Sequence, residues 1–432
     1  MKKTIIFGGL LLSTVLTYGQ ATISPAKPQQ TPIIIAGATI HIGNGQVINN
    51  GYIAFNNGKI TAIGEGTSPN TAGAEVINAT GKQVYPGFIC PVTTLGLVEV
   101  EGGARGTVDD TETGDLNPNV RSIIAYNTDS KVIPTVRSNG ILLAQPTPEG
   151  GTISGQSSVV QLDAWNWEDA AYKKDIGVHL TWPSAGGGRA RRGAAVAGTE
   201  SPDEARLKSL DAIDNLFAQV KAYTESKPAI TNLRLDAMKG LFNGSKNLFI
   251  NADGAKEIIE AVAFAKKMGL HAVIVGGKES YLVTSVLKQN NVPVILRETQ
   301  TLPSRAEDDV YLPYKLPKLL QDAGVLYGLT GIGFWRQRNL PFEAGQAVGH
   351  GLTKEQAISM ITINNAKILG IDKTTGTLET GKDANLFISS GDALDMLTLD
   401  VTKVYIQGRD VNLDNLHKQL YKRYADKYGM KE

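Results

Sequence analysis

A chain of 432 residues, 42% of them hydrophobic, is long enough for one large barrel domain or two ordinary ones. Its 43 basic and 42 acidic residues nearly cancel, so nothing in the balance argues for nucleic acid or an acidic membrane surface as partner. Cys90 is the only cysteine, so no intrachain disulfide can form.

The N-terminus reads as an export segment. Lys2-Lys3 precede the apolar runs Ile5-Ile6-Phe7 and Leu10-Leu11-Leu12, and Thr17-Tyr18-Gly19 supplies small residues at a cleavage site. The expectation is a signal peptide over 1–19, cut near Gly19-Gln20, and a periplasmic or secreted protein. The apolar run is shorter than the ~20 residues of a spanning helix, so no membrane span is expected. No cysteine follows the cut, so no lipid anchor is indicated.

After a Pro/Gln linker at 25–32, strands are expected at 33–42, 52–55, 59–63, 74–77 and 83–85. Asn57-Gly58 is a hairpin turn signal, because both residue types tolerate positive φ. Short strands split by Gly and Asn suggest a small β-sandwich over 32–87. From Phe88 the rhythm changes to apolar runs alternating with helical segments, as a parallel β/α array requires. Buried strands are expected at 141–145, 178–182, 248–250, 272–275, 292–296 and 325–329. Asp253 is placed to cap a helix over 255–268, and Thr353-x-x-Gln356 opens a helix running to Leu369, which Gly370 ends. These features give a (β/α)8 barrel over 88–372.

The insertion at 184–202 is a Gly/Ala-rich loop; Arg189, Arg191 and Arg192 within it could grip an anion, but no aromatics interleave them. Strands return at 385–389 and 403–407, so both chain ends are expected to build one sandwich, its second part at 373–412. Residues 413–432 read as a terminal helix whose stripe Leu413, Leu416, Leu420 and Tyr424 is expected to dock on the core.

Several stretches carry a family resemblance. Pro86-Gly87-Phe88-Ile89-Cys90-Pro91-Val92-Thr93-Thr94, followed by Leu95-Gly96-Leu97, resembles a first barrel strand in which His-x-His follows Pro-Gly-aliphatic-Ile-Asp. Gly351-Leu352-Thr353, Thr362-Ile363-Asn364 and Gly376-Thr377-Leu378 through Gly381-Lys382-Asp383-Ala384-Asn385-Leu386 match further motifs in family order. The chain is similar to the amidohydrolase superfamily, in particular its imidazolonepropionase-related branch. The resemblance spans about residues 32–412 and implies a distorted TIM-like (β/α)8 barrel with a composite β-sandwich built from both chain ends. The inherited activity class is hydrolysis of non-peptide carbon–nitrogen bonds in amides and cyclic amides. Gly376-x4-Gly381-Lys382 is one residue short of a phosphate-binding loop, with Asp383 where Ser or Thr is needed, so nucleotide binding is rejected.

The family chemistry depends on a divalent metal, usually zinc, that acidifies a bound water at the C-terminal ends of the barrel strands. In this chain the resemblance puts Val92 and Thr94 in the His-x-His slots, Asn251 and Gly276 in the later histidine slots, and Gly331 where an aspartate is expected. No metal or other cofactor is therefore expected. The chain reads as a non-catalytic or partner subunit, binding a small molecule at these positions or pairing with a ligand-complete relative as a homo- or hetero-oligomer. The alternative is a hydrolase with a divergent site drawn from His179, Asp253 and the acidic stretch Glu99, Glu101, Asp109, Asp110 and Glu112. His179 is the sole imidazole expected near the barrel mouth. The glycines of 149–156 are expected to shape that mouth as a loop, and a carbohydrate- or peptide-binding surface would need aromatics such as Trp165, Trp167, Trp182 or Trp335 there.

Overall fold

The computed structural model describes residues 23–68, 72–100, 106–185, 201–226, 230–303 and 305–430. The expected signal peptide, Glu101 and the arginines of the 184–202 insertion lie outside the described residues.

The N-terminal strands form where they are expected: β1 (Ile33–His41), β2 (Val47–Asn56), β3 (Lys59–Glu65), β4 (Glu75–Asn78) and β5 (Gln83–Pro86). Asn57 and Gly58 both take positive φ, at +49° and +76°, so the β2–β3 turn matches the twist of its strands.

The second sheet holds β6 (Phe88–Thr93), β7 (Ile141–Pro146), β8 (Ile153–Gln161), β9 (Ala171–Thr181), β10 (Asn247–Ala252), β11 (Ala272–Gly276), β12 (Val294–Leu296) and β13 (Tyr327–Leu329), neighbouring one another in chain order. Residues alternate between two environments. Phe249, Val273, Ile295, Leu143 and Ile89 pack with Ile368 and Leu369 inside the barrel. Leu248, Ile250, Ile274 and Val294 face the surrounding helical layer with Ile258, Val262 and Leu320. One expectation fails here. β8 runs antiparallel to both β7 and β9, so the array is not wholly parallel, and the segment 153–156 expected as loop belongs to this strand.

No backbone ladder joins β13 to β6, and side chains close that seam instead. Buried Asn365 donates from Nδ2 to the carbonyls of Ile89 (2.8 Å) and Leu329 (2.9 Å). Thr330 donates to the Pro91 carbonyl. Asn365 lies in Ile363–Ile368, which a break at Thr362 (φ −125°, ψ −94°) separates from Lys354–Ile361. The single helix expected to Leu369 is therefore two, although Thr353 and Gln356 form the expected capping box. At Ala255–Met268 the N-cap is Gly254 rather than Asp253, and the Glu257 carboxylate accepts from the Gly254 N–H at 3.2 Å.

From the other chain end, β14 (Leu386–Ser389), β15 (Val401–Ile406) and β16 (Arg409–Asp410) join the first sheet in the order β16-β15-β14-β5-β1-β2-β3, with β4 also on β1. This composite sheet encloses its own core of Ile35, Ile40, Phe55, Leu386 and Tyr405. The fold class is thus a distorted barrel with a sheet built from both chain ends. The terminal helix corrects another expectation. It spans Leu416–Tyr428; Leu413 just before it packs on the core, but Leu416, Leu420 and Tyr424 are exposed rather than docked, and only Ala425 of the helix is buried. Among the described residues no helix is long and apolar enough to cross a membrane.

Candidate ligand site at the barrel mouth

A cavity of about 790 Å³ opens at the C-terminal ends of β6, β7, β9, β10, β12 and β13. This is the face where barrel loops carry chemistry. Val92, Thr94, Thr181, Asn251, Arg297 and Thr330 come from strand ends, and Asp110 and Glu149 from the loops above them. A second cavity of about 470 Å³ shares Thr181, Asn251 and Arg297 and extends to Asp253, Lys278 and Arg305.

The substituted positions differ in what surrounds them. Val92 sits at φ +44°, which is unusual for a β-branched residue, and its N–H donates to Gln145 Oε1 at 3.0 Å. Thr94 lines the cavity, and its carbonyl accepts from Leu97 N at 3.0 Å. Asn251 Oδ1 accepts from Arg297 Nη2 at 2.8 Å. Gly276 has φ +99°, and a Cβ there would fall on the Asp253 carboxylate. A Cβ on Gly331 would lie 2.5 Å from Gln337 Cα. At Gly331 backbone fills the space that a longer side chain needs, whereas at Gly276 it is the positive φ and the Asp253 carboxylate that oppose one. Neither Gly276 nor Gly331 lines the larger cavity.

His179 lies inside the barrel, one pleat below Thr181, and is 1% exposed. Its ring stacks on Phe249 at 4.8 Å, its Nε2 hydrogen-bonds Ser157 Oγ at 2.6 Å, and its Nδ1 has no partner. Burial pushes its pKa down to about 3, so the ring is neutral. Gln145 continues this polar chain, donating to Ser157 at 2.8 Å. Asp253 stands instead on the rim, 3.8 Å from Lys278, and no hydrogen bond or ion pair joins it to His179. Of the other imidazoles, His41 hydrogen-bonds Glu355 and Gln83, His350 stacks on Tyr314 and His417 on Trp335.

The acidic stretch is only partly brought to the mouth. Glu99 accepts from Ser130 at 2.9 Å away from the cavity, whereas Asp110 lines it. Glu149, which the sequence placed only in a glycine-rich loop, stands beside Asp110: its N–H donates to the Asp110 carbonyl at 2.6 Å. Burial, then the Asp110 charge, pushes the Glu149 carboxyl up against the opposing pull of Arg297. Burial also raises Asp110. None of the tryptophans lines the cavity. Arg297 escaped the sequence reading, although it directly follows the apolar run of β12, and a polar residue at a strand's C-terminal end was the available signal.

A divalent ion of the family kind does not fit this donor set. Zinc takes three or four converging N, O or S ligands. The five substituted slots offer an aliphatic side chain, a hydroxyl, an amide already engaged by a guanidinium, and two glycines, and the cavity adds only the two carboxylates Asp110 and Glu149. Among the described residues no group of three or more His, Cys, Asp or Glu could hold a metal ion.

The comparisons with known proteins agree with this architecture. Residues 336–412 match the family model described as the amidohydrolase family. An amidohydrolase from Thermotoga maritima MSB8 is 24% identical, with a TM-score of 0.75 over 88% of this chain and 99% of that one. Molinate hydrolase superposes with a TM-score of 0.56 at 15% identity, over 90% of this chain and 96% of the other. An adenosine deaminase from Xanthomonas campestris with bound zinc gives 0.53 at 14% identity, over 93% and 99%. Comparison with curated protein sequences finds no match. Residues 336–412 thus match the amidohydrolase family in sequence, and the chain shares its fold with the solved amidohydrolase structure.

Proposed function

We propose that this chain is a metal-independent ligand-binding member of the amidohydrolase superfamily, without the metal-hydroxide chemistry of its class. One observation carries the reading: the ligand slots are not merely substituted, since Asp253 and Gln337 occupy the space at Gly276 and Gly331. A site that had lost a single histidine would keep its room. Here backbone φ at Gly276 strains a longer side chain, and the Gln337 backbone at Gly331 leaves no room for one. The Arg297 guanidinium on Asn251 also adds positive charge where a dication would sit. In this proposal the cavity serves recognition, either alone or as the partner of a ligand-complete relative, in an exported protein.

A second reading keeps the inherited hydrolysis of carbon–nitrogen bonds but moves the chemistry to Asp110 and Glu149. Two neighbouring carboxyls, both raised by burial, favour it, because one can stay protonated while the other is ionised. In that arrangement the neutral carboxyl would protonate a leaving nitrogen and the ionised one would activate water. Elemental analysis of protein purified without chelators, run beside an amide and cyclic-amide panel, separates the readings. Substoichiometric metal and no turnover are expected. Turnover lost on Glu149→Gln would establish the second reading, and stoichiometric metal with turnover would sink both.

A further inference from the structure

The cations around the mouth are not alike. Arg305 pairs with Glu279 at 2.5 Å, Arg336 with Glu298 at 2.7 Å, and Lys278 stands 3.8 Å from Asp253. Arg297 lies among them, half-buried, and forms no ion pair among the described residues. Its hydrogen bond goes to the neutral amide oxygen of Asn251 at 2.8 Å. That contact uses one of five N–H donors, and the planar fork is suited to a carboxylate taken in two parallel bonds. The same cavity also carries the opposite charge. Asp110 and Glu149 line it, and neither forms an ion pair among the described residues. They are held together by the Glu149 N–H to the Asp110 carbonyl and by pairing of Thr111 with Glu149. Their mutual repulsion is unrelieved by any cation in contact, and Arg297 acts on Glu149 only through space.

Resting on the metal-free reading of this site, we propose that the cavity binds a small zwitterion of the amino-acid class. Its carboxylate lies on Arg297 beside Asn251, and its protonated amine lies between Asp110 and Glu149. Each half of such a ligand meets a charge that has no ion-pair partner among the described residues. Thr94, Thr181 and Ser154 also line the cavity. A neutral sugar would leave both charges without a counter-charge, and a dicarboxylate would meet the acid pair with repulsion. Room is not limiting, because about 790 Å³ exceeds what a single amino acid fills.

The test is thermal-shift screening of the full chain with the free proteinogenic amino acids at millimolar concentration, followed by calorimetry on the strongest hit. Its C-terminal amide, lacking the carboxylate, and its N-acetyl derivative, lacking the ammonium, are the paired probes. The hit is expected to lose about 10- to 100-fold in affinity in either derivative, and by a similar factor in Arg297→Gln. Arg297→Lys should recover part of the loss, since it keeps the charge but not the fork. Thermal stability of each unliganded variant controls for folding. Absence of any hit, or affinity unchanged by Arg297→Gln, overturns the proposal. An N-acetyl derivative that binds as well as the free amino acid overturns the amine half. Zinc content measured on the same sample keeps the two readings apart. Metal-free protein without a hit removes this inference alone, whereas stoichiometric metal removes the reading beneath it.

Discussion

His179 provides a sharp test of what the barrel interior is for. It is 1% exposed, with Nε2 on Ser157 and Nδ1 unpartnered, and burial takes its pKa from 6.5 to about 3. The folded protein thus keeps this ring neutral where the unfolded chain protonates it. Its contribution to stability is complete above the unfolded value and is lost as pH falls towards the folded one. Each pH unit inside that window is worth about 1.36 kcal/mol, so the loss reaches about 2 kcal/mol by pH 5 and about 5 kcal/mol near pH 3. His179→Gln keeps a polar group beside Ser157 but cannot take up a proton. Urea unfolding of both proteins at neutral pH and at about pH 5 isolates the ring, because other titrating groups cancel in the difference. The wild type should lose about 2 kcal/mol more than the variant over that interval. Parallel pH profiles would refute a buried neutral imidazole and return His179 to the candidates for a titrating catalytic group.

Three further outcomes follow from the same geometry. Gly276→Ala must hold a side chain at φ +99° against the Asp253 carboxylate, and should destabilise by about 2–4 kcal/mol in chemical unfolding. Adding Asp253→Ala should recover about 1 kcal/mol or more of that loss in a double-mutant cycle, whereas simple additivity would show that the space is not shared. Glu149→Gln should raise stability at neutral pH, since the raised carboxyl weakens the fold once ionised, and the gain should vanish below the ordinary carboxylate range. A gain that persists in acid would point to packing instead. Asn365→Ala strands two buried carbonyls at the barrel seam and should cost about 2–4 kcal/mol, measured by thermal or urea unfolding. A near-neutral result would mean that β6 and β13 stay together without it.

What could be read from the sequence follows the strength of local signals. β10, β11 and β12 are short apolar runs, so both their existence and their C-terminal ends were legible. β8, ISGQSSVVQ, was not legible, because every position is buried and its polar residues find partners elsewhere in the protein. Ser157, for example, is held between Gln145 and His179. A strand buried on both faces shows no alternation. The filling of Gly331 by Gln337 depends on how the 3₁₀ turn Arg336–Asn339 folds back, and no spacing rule encodes it. The stripe on Leu416–Tyr428 misled for the opposite reason. Helical periodicity identifies an apolar face but not whether anything covers it, and Leu420 and Tyr424 remain exposed. Arg297 and Glu149 come together only through closure of the barrel, since 148 positions of chain numbering separate 149 from 297.

The metal question reduces to whether any ion can be held at the ends of β6, β10, β11 and β13. Crystals grown with millimolar zinc, measured on either side of the zinc absorption edge, address it directly. The expected result is no anomalous peak within coordinating reach of Val92, Thr94, Asn251, Gly276 or Gly331. A peak refined to full occupancy there would show that donors converge where the geometry denies them, and would restore the metal-hydroxide mechanism.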